Sequence, residues 1–388
     1  MLLLKPHAPD DTGQDVAIDG PDEIEAAGVL TIDCAAIVRN WKRLADYAAP
    51  AECAAVVKAD AYGCGLEPVA RALADAGCVT FFVATLPEAR RLRAVAREAA
   101  IYVTNGIVPG TAPAFADINA QPVIGNMAEL AEWDNFRAVH KWSGGAALHF
   151  DTGMNRLGLA LEEAEALSGR ARMPDHGFTL IMSHLACADE PEHPLNARQI
   201  KYLRDIRQLF RGIPASLANS SGIYLDAAAH FDLVRPGIAL YGGNPILPAD
   251  NPMEPVVDLK ARIAQLRIVP RGATVGYNAT WTAQRETRLA VATVGYADGY
   301  PRPVGASDTL TGGYAIAGGV RCPVVGRVSM DLMAVDITDA PQNAVHRGHY
   351  LTLIGGGIGI DEFATWSRTI SYDVLTRLGH RYHRVWTG

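Results

Sequence analysis

The sequence is short of lysine, of paired cysteines, of long apolar runs and of positive charge, and each shortage excludes something. Of the 35 basic residues only six are lysines (5, 42, 58, 141, 201 and 260) and the rest are arginines. A lysine inside an apolar strand therefore stands out. The six cysteines (34, 53, 64, 78, 187 and 322) contain no CxxC pair and fall mostly in apolar stretches. That pattern reads as reduced core thiols, not as a disulfide framework. No apolar run approaches the roughly 18 residues of a membrane-spanning helix. The opening Met1-Leu2-Leu3-Leu4-Lys5 is followed at once by Pro6 and is too short for a secretory segment. With 35 basic and 42 acidic residues, the formal charge is −7, which argues against a nucleic-acid or anionic-membrane partner. These absences lead to the expectation of a cytoplasmic protein with a small-molecule partner.

What is present fits a globular chain. The 388 residues are 49% hydrophobic and 20% charged, and at roughly 100–200 residues per domain this length suggests two domains. Such a chain buries about three quarters of its unfolded surface and needs neither disulfides nor metal to fold.

Residues 1–27 are polar, acidic and aperiodic and read as a loosely ordered tail. Gly28–Ile32 reads as a strand, and Asp33 as the cap of a helix with Ile37, Trp41 and Leu44 on one face. From Cys53 onward, short apolar strands alternate with amphipathic helices such as Pro87–Ala99 and Asn196–Phe210. The strands are Cys53–Lys58, Val79–Thr85, Ala100–Asn105, Pro122–Gly125, Ala146–Asp151, Thr179–His184, Ala215–Asn219 and Phe231–Arg235. Eight such strands, most separated by helices, imply parallel pairing that closes into a (β/α)8 barrel of the TIM type over residues 28–243. An open doubly wound sheet is the runner-up, but the Gly-rich first turn it needs is absent. Four prolines at 245, 248, 252 and 255 then mark a linker. Beyond it, strands such as Thr287–Val294 and Ala334–Ile337 recur without helical period until about Glu362, so residues 244–388 read as a linker and a mostly β domain.

In a barrel of this type the functional groups gather at the C-terminal ends of the strands. Lys58 ends the first strand, Asp151 the fifth with Arg156 just beyond, His184 the sixth, Asn219-Ser220 the seventh and Arg235-Pro236-Gly237 the eighth. Lys58 admits two readings: an amine snorkelling from a strand end, or a partly desolvated amine of lowered pKa able to form a Schiff base. Tyr62, Ser220 and Gly237 would suit a phosphate held by backbone N–H groups near a helix start.

These residues carry a resemblance. The segments Val56-Val57-Lys58-Ala59-Asp60-Ala61-Tyr62-Gly63, Asp151-Thr152-Gly153-Met154-Asn155-Arg156-Leu157-Gly158, Ser183-His184, Ala218-Asn219-Ser220 and Val234-Arg235-Pro236-Gly237 resemble motifs of the alanine racemases. So do Val275-Gly276-Tyr277, Gly295-Tyr296-Ala297-Asp298-Gly299 and Ser329-Met330-Asp331. The likeness runs in order from about residue 28 to the C-terminus. It implies a pyridoxal-phosphate-dependent racemase of fold type III that interconverts L- and D-alanine. Lys58 would hold the cofactor and act as one base, and Tyr277 as the other, supplied by the second domain of a partner subunit in a homodimer. Racemisation needs two such groups, because the α proton leaves one face and returns on the other. His184, hydrogen-bonded to Tyr277 and backed by Arg235, would lower the tyrosine's pKa.

The same resemblance places Arg235 on the pyridine nitrogen, where an arginine donates without giving up its proton. It assigns Tyr62, His184, Asn219, Ser220, Gly237, Ile238 and Tyr372 to the cofactor, with phosphate contacts from Tyr62, Ser220, Gly237, Ile238 and Tyr372. Arg156 and the Met330 N–H would take the substrate carboxylate, and Tyr296 and Arg302 resemble residues of the substrate access path. Two positions depart from the family pattern: His149 stands where a carbamylated lysine usually braces the arginine, and Cys64 stands in place of a histidine. A racemase of broader range (serine, lysine), a decarboxylase and a non-catalytic cofactor carrier are the alternatives. The Tyr277 region and Arg235 argue against the decarboxylase, which wants an acidic partner on the pyridine nitrogen. Gly355–Gly359 lacks the last glycine of a dinucleotide fingerprint and reads as a turn. His380 and His383 have metal-ligand spacing but no companion ligands, so an exposed helix end is expected and no metal.

Overall fold

The structure, a computed structural model, describes residues 17–169 and 177–388. Internal packing divides the chain into two units: one spans Ile37–Leu240 with Asn244–Met253, and the other comprises the residues up to Ala36, Tyr241–Gly243 and Glu254–Gly388.

The first unit is a closed parallel barrel. Its strands are Thr80–Val83, Ala100–Val103, Gln121–Ile124, Ala146–His149, Phe178–Met182, Ala215–Ser216 and Leu233–Val234, plus a first strand in two pieces, Glu52–Cys53 and Ala55–Val56. Glu52–Cys53 pairs with Leu233–Val234 and Ala55–Val56 with the strand at 80–83, so the break at Ala54 lets one strand join both neighbours and close the ring. The open doubly wound alternative is thereby overturned. Phe82, Tyr102, Val123, Ala147, Leu180 and Leu233 fill the interior, the inward half of the two-residue alternation each strand imposes. The expected strand ends at 217–219 and 235 leave the ladder and become rim loops. Helix Cys34–Ala48 begins as Asp33 Oδ1 accepts the Ala36 N–H at 2.8 Å, and Trp41 Nε1 farther along donates to the Cys53 carbonyl at 3.0 Å.

The second unit is antiparallel for most of its pairings. The long strand Val257–Val269 pairs with Thr287–Ala292 on one side and Tyr350–Ile354 on the other. Met333–Asp336, Val320–Val325 and Tyr314–Ala317 complete a ring back to Tyr350–Ile354. Its first seven residues alternate buried and half-buried, the period of a strand with one covered face. Gly28–Asp33 does not join the barrel, as a boundary at residue 28 implies. It pairs antiparallel with Val257–Ala261 and parallel with His383–Thr387. Residues 17–19, read as part of a tail, form a strand on Arg384–Trp386; residues 1–16 of that tail lie outside the described residues. His383 is no exposed helix end either, since it is buried in that strand with Nδ1 hydrogen-bonded to the Pro21 carbonyl at 2.9 Å. Gly355–Ile358 closes a tight turn through reciprocal backbone bonds of 2.8 and 3.0 Å.

Candidate active site

The chain leaves the first barrel strand through Lys58 into an uncommon backbone. Ala59, Asp60, Ala61 and Tyr62 all take left-handed angles, with φ of 52, 56, 53 and 55°. The bonds Ala61 N–H to Val57 carbonyl (3.0 Å) and Gly63 N–H to Ala59 carbonyl (2.8 Å) make this one left-handed helical turn. Each non-glycine residue so placed costs roughly 1–2 kcal/mol, so outside contacts must hold the turn. Glu88 provides one: Oε1 accepts the Ala59 N–H at 2.7 Å, while Oε2 accepts those of Ala84 and Thr85 at 2.9 and 3.1 Å. The turn ends with the Tyr62 side chain buried.

Around Lys58 the rim is rich in cations. Burial first, then Arg156 and Arg235, hold the Lys58 ammonium below the ordinary lysine range, while Glu88 acts in the opposite sense. Arg235 is 4% exposed. Its guanidinium donates to Ser216 Oγ and to the Ser183 carbonyl at 2.6 Å, and lies 3.4 Å from both His184 Nδ1 and the Leu217 carbonyl. Burial pushes it down to about 9, which leaves it protonated at neutral pH. Burial also lowers His184 well below its usual value, with Arg235, Arg156, Lys58 and His149 adding to the effect. His149, at the end of its strand, is pushed to about 4 by burial and then by Arg235 and Arg156, against a smaller opposing pull from Asp151. Both imidazoles are therefore neutral where the two arginines are charged.

Arg156 is carried by the loop after this strand and is exposed. Asp151 Oδ1 accepts the Gly153 and Asn155 N–H groups at 2.8 and 3.1 Å, shaping the loop. Its return requires Gly158 (φ 124°), where a Cβ would meet the Asp151 nitrogen at 2.5 Å. Across the rim, Ser220 Oγ accepts the Gly237 and Ala239 N–H groups at 2.9 and 3.3 Å. A Cβ at Gly237 would meet Tyr62 Oη at 2.2 Å, so only glycine lets that hydroxyl approach. Tyr62, Ser220, Gly237 and the neighbouring Ile238 are thus brought together. Asn219 instead caps helix Ser220–Leu225, its Oδ1 accepting the Gly222 N–H at 2.9 Å.

The remaining expected residues belong to the antiparallel unit. Tyr277 is 67% exposed, Met330 53%, Tyr296 45% and Tyr372 40%. Tyr277 follows the short strand Thr274–Val275, and Met330 is set by the Tyr296 and Ala297 N–H groups on the Ser329 and Met330 carbonyls at 3.1 and 2.9 Å. Arg302 opens a 3-10 turn, Arg302–Val304. Cys64 is packed, 1% exposed.

Sequence reasoning missed three contributors. Glu88 reads in sequence only as the last residue of a Thr85-x-x-Glu88 capping box. Gln199, on the buried face of helix Pro194–Leu209, donates to Thr152 Oγ1 at 3.0 Å and the His184 carbonyl at 2.8 Å. Ser216 carries no motif. Among the described residues, no cluster of three or more His, Cys, Asp or Glu side chains is placed to hold a metal ion, and no helix is long and apolar enough to cross a membrane.

The comparisons with known proteins bear on the family and the fold. The family model described as alanine racemase, N-terminal domain, matches residues 32–245, and the model of its C-terminal domain matches 256–386. The chain is 53% identical over 355 residues to an alanine racemase of Methylobacterium nodulans, covering 92% of this chain and 95% of that protein. To the Rhizobium meliloti alanine racemase it is 44% identical over 380 residues, covering 96% of this chain and all of the other. Among solved structures, an alanine racemase of Bartonella henselae with covalently bound pyridoxal phosphate superposes with a TM-score of 0.87 at 36% identity, covering 93% and 99% of the two chains.

Proposed function

The chain belongs to the alanine racemase family, and from that premise we propose how its own residues divide the work. It interconverts L- and D-alanine with pyridoxal phosphate. The rim fits that cofactor on its own chemistry: Arg235 is a buried cation whose hydrogen-bond partners are all uncharged, and Gly237 leaves room that a Cβ would take from Tyr62. When bound, pyridoxal phosphate supplies an aldehyde that takes up an amine and a conjugated ring that acidifies the neighbouring Cα–H.

Lys58 holds the cofactor, and its lowered ammonium pKa suits an amine that must also take and return a proton at the substrate Cα. Tyr62, Ser220, Gly237, Ile238 and Tyr372 take the phosphate, Arg235 donates to the ring nitrogen, and Asn219 shapes the helix start beside them. His184, neutral and joined to Arg235, keeps that guanidinium in place. Arg156 and the Met330 N–H orient the substrate carboxylate. Tyr277 moves the proton on the opposite face of Cα. His149 accepts from Arg156 as a neutral brace, since a protonated imidazole would repel it.

The active unit on this reading is a homodimer in the cytoplasm. What supports the dimer is that Tyr277 and Met330 are 67% and 53% exposed, groups of the kind a second subunit's barrel would enclose. Support for the compartment comes from six cysteines that form no disulfide with one another, five of them buried. The observation that carries the assignment is the cluster of Lys58, Arg156 and Arg235 around two neutral histidines, a site built for an anionic cofactor and a carboxylate substrate. Chiral chromatography of products from a panel of L-amino acids tests the substrate. Alanine should racemise fastest, and faster turnover of serine or lysine would replace the alanine assignment.

A further inference from the structure

We propose that Glu88 is a positioning residue for the cofactor lysine: by accepting the Ala59 N–H, its carboxylate holds the left-handed turn that fixes Lys58 and Tyr62 around the cofactor. The inference rests on the reading of Lys58 given above and assigns a role to a side chain in a different strand–helix unit. Four consecutive non-glycine residues in left-handed geometry do not stay so without an external restraint. The first two residues of this turn, Ala59 and Asp60, are tied to helix Leu86–Val95. At its start, Glu88 Oε1 takes the N–H of Ala59, the residue directly after Lys58, at 2.7 Å. Farther on, Arg91 of the same helix reaches Asp60 at 2.7 Å and Glu67 at 2.6 Å, while Asp60 Oδ1 also accepts the Leu66 N–H at 3.1 Å.

Glu88 is also anchored from behind. Its other oxygen receives the Ala84 and Thr85 N–H groups, so the carboxylate is a fixed point between the second barrel strand and the turn. A charged acceptor shared by three N–H donors is a strong and directional restraint. The Arg91 pairs are about half exposed and contribute less. The rival explanation is that Glu88 only completes the cap of its own helix, where Thr85 Oγ1 faces the Glu88 N–H at 3.5 Å.

The two explanations part in four variants of the full-length holoenzyme. Cofactor retention is followed by dialysis and by the induced circular dichroism of the bound cofactor. Borohydride reduction and peptide mapping locate the labelled lysine. Glu88→Ala should weaken cofactor retention about tenfold, equivalent to about 1.4 kcal/mol, and change the dichroic signal. Glu88→Gln should do so less, because its amide oxygen still accepts from Ala59 while its NH2 confronts two donors. Thr85→Ala, which breaks the helix cap alone, should lower thermal stability and leave retention and dichroism intact. Adding Ala59→Gly to Glu88→Ala should restore most of the retention, since glycine adopts the left-handed angles freely. Label on Lys58 with undiminished retention in both Glu88 variants overturns the clamp. Label on another lysine in the unaltered enzyme overturns the underlying reading of Lys58 instead.

Discussion

In the barrel, His149 and Arg235 are buried and His184 and Lys58 half-buried, and the charges of Arg156 and Arg235 act on Lys58, His149 and His184. In the antiparallel unit, Tyr277, Met330 and Tyr372 carry their candidate roles while largely open to solvent. The barrel groups are preorganised by neighbours on adjacent strands, as a site that must act on charge requires. One region gathers its candidate groups into a buried cluster; the other presents them at the surface.

That contrast sets the scale of what substitutions should do. On the proposed reading, Lys58→Ala removes the one group on which cofactor attachment and proton transfer both depend. It should cost roughly 10⁴-fold or more in racemisation, the scale of losing a group with no substitute, and abolish reducible cofactor labelling in the peptide map. Labelling retained at another lysine would break the barrel half of the comparison. Tyr277→Phe should be selective. In deuterated water, single-turnover α-proton exchange from L-alanine should fall by about 10²–10⁴-fold, the usual worth of a positioned general base, while exchange from D-alanine through Lys58 survives. Equal loss for both enantiomers would make Tyr277 structural.

His149 sharpens the comparison at a smaller scale. His149→Ala should raise KM for alanine about tenfold with little change in kcat, as about 1.4 kcal/mol of lost carboxylate positioning implies, and degassing the buffer should leave the unaltered enzyme's activity unchanged. A pH signature accompanies it. The folded value of about 4 lies below the ordinary 6.5, so the unfolded chain binds the extra proton first. Stability from the neutral imidazole is complete above about 6.5 and drains away as pH falls toward 4, by roughly 3 kcal/mol in all. Urea midpoints taken from pH 7 to 4 should fall less steeply in His149→Ala than in the unaltered chain. A shift in thermal stability alone, with both kinetic constants unmoved, would reduce His149 to packing.

Much of the barrel is legible in the sequence because its strands are short apolar runs ending in polar residues, and a lysine is rare enough here to draw attention to position 58. The turn after it is not legible. Ala59-Asp60-Ala61-Tyr62 contains no glycine and would pass for an ordinary right-handed helix start. The contacts that restrain it, Glu88 on the Ala59 N–H and Arg91 on Asp60, arrive from the next strand–helix unit and leave no local mark in the sequence. Pairing partners were hidden for the same reason: Gly28–Asp33 reads as a strand, but its neighbours lie more than 220 residues along the chain. Local pattern gives an element's type, whereas long-range contacts decide which sheet it joins and what strain it bears.

The central claim is that Lys58 of one subunit works with Tyr277 of another, and mixing inactive subunits tests it most directly. Lys58→Ala and Tyr277→Phe proteins, each nearly inactive, would be mixed under conditions where mass spectrometry proves subunit exchange. The account predicts that racemase activity reappears, because each hybrid dimer then holds one site with both bases intact. No recovery despite proven hybrids would contradict it.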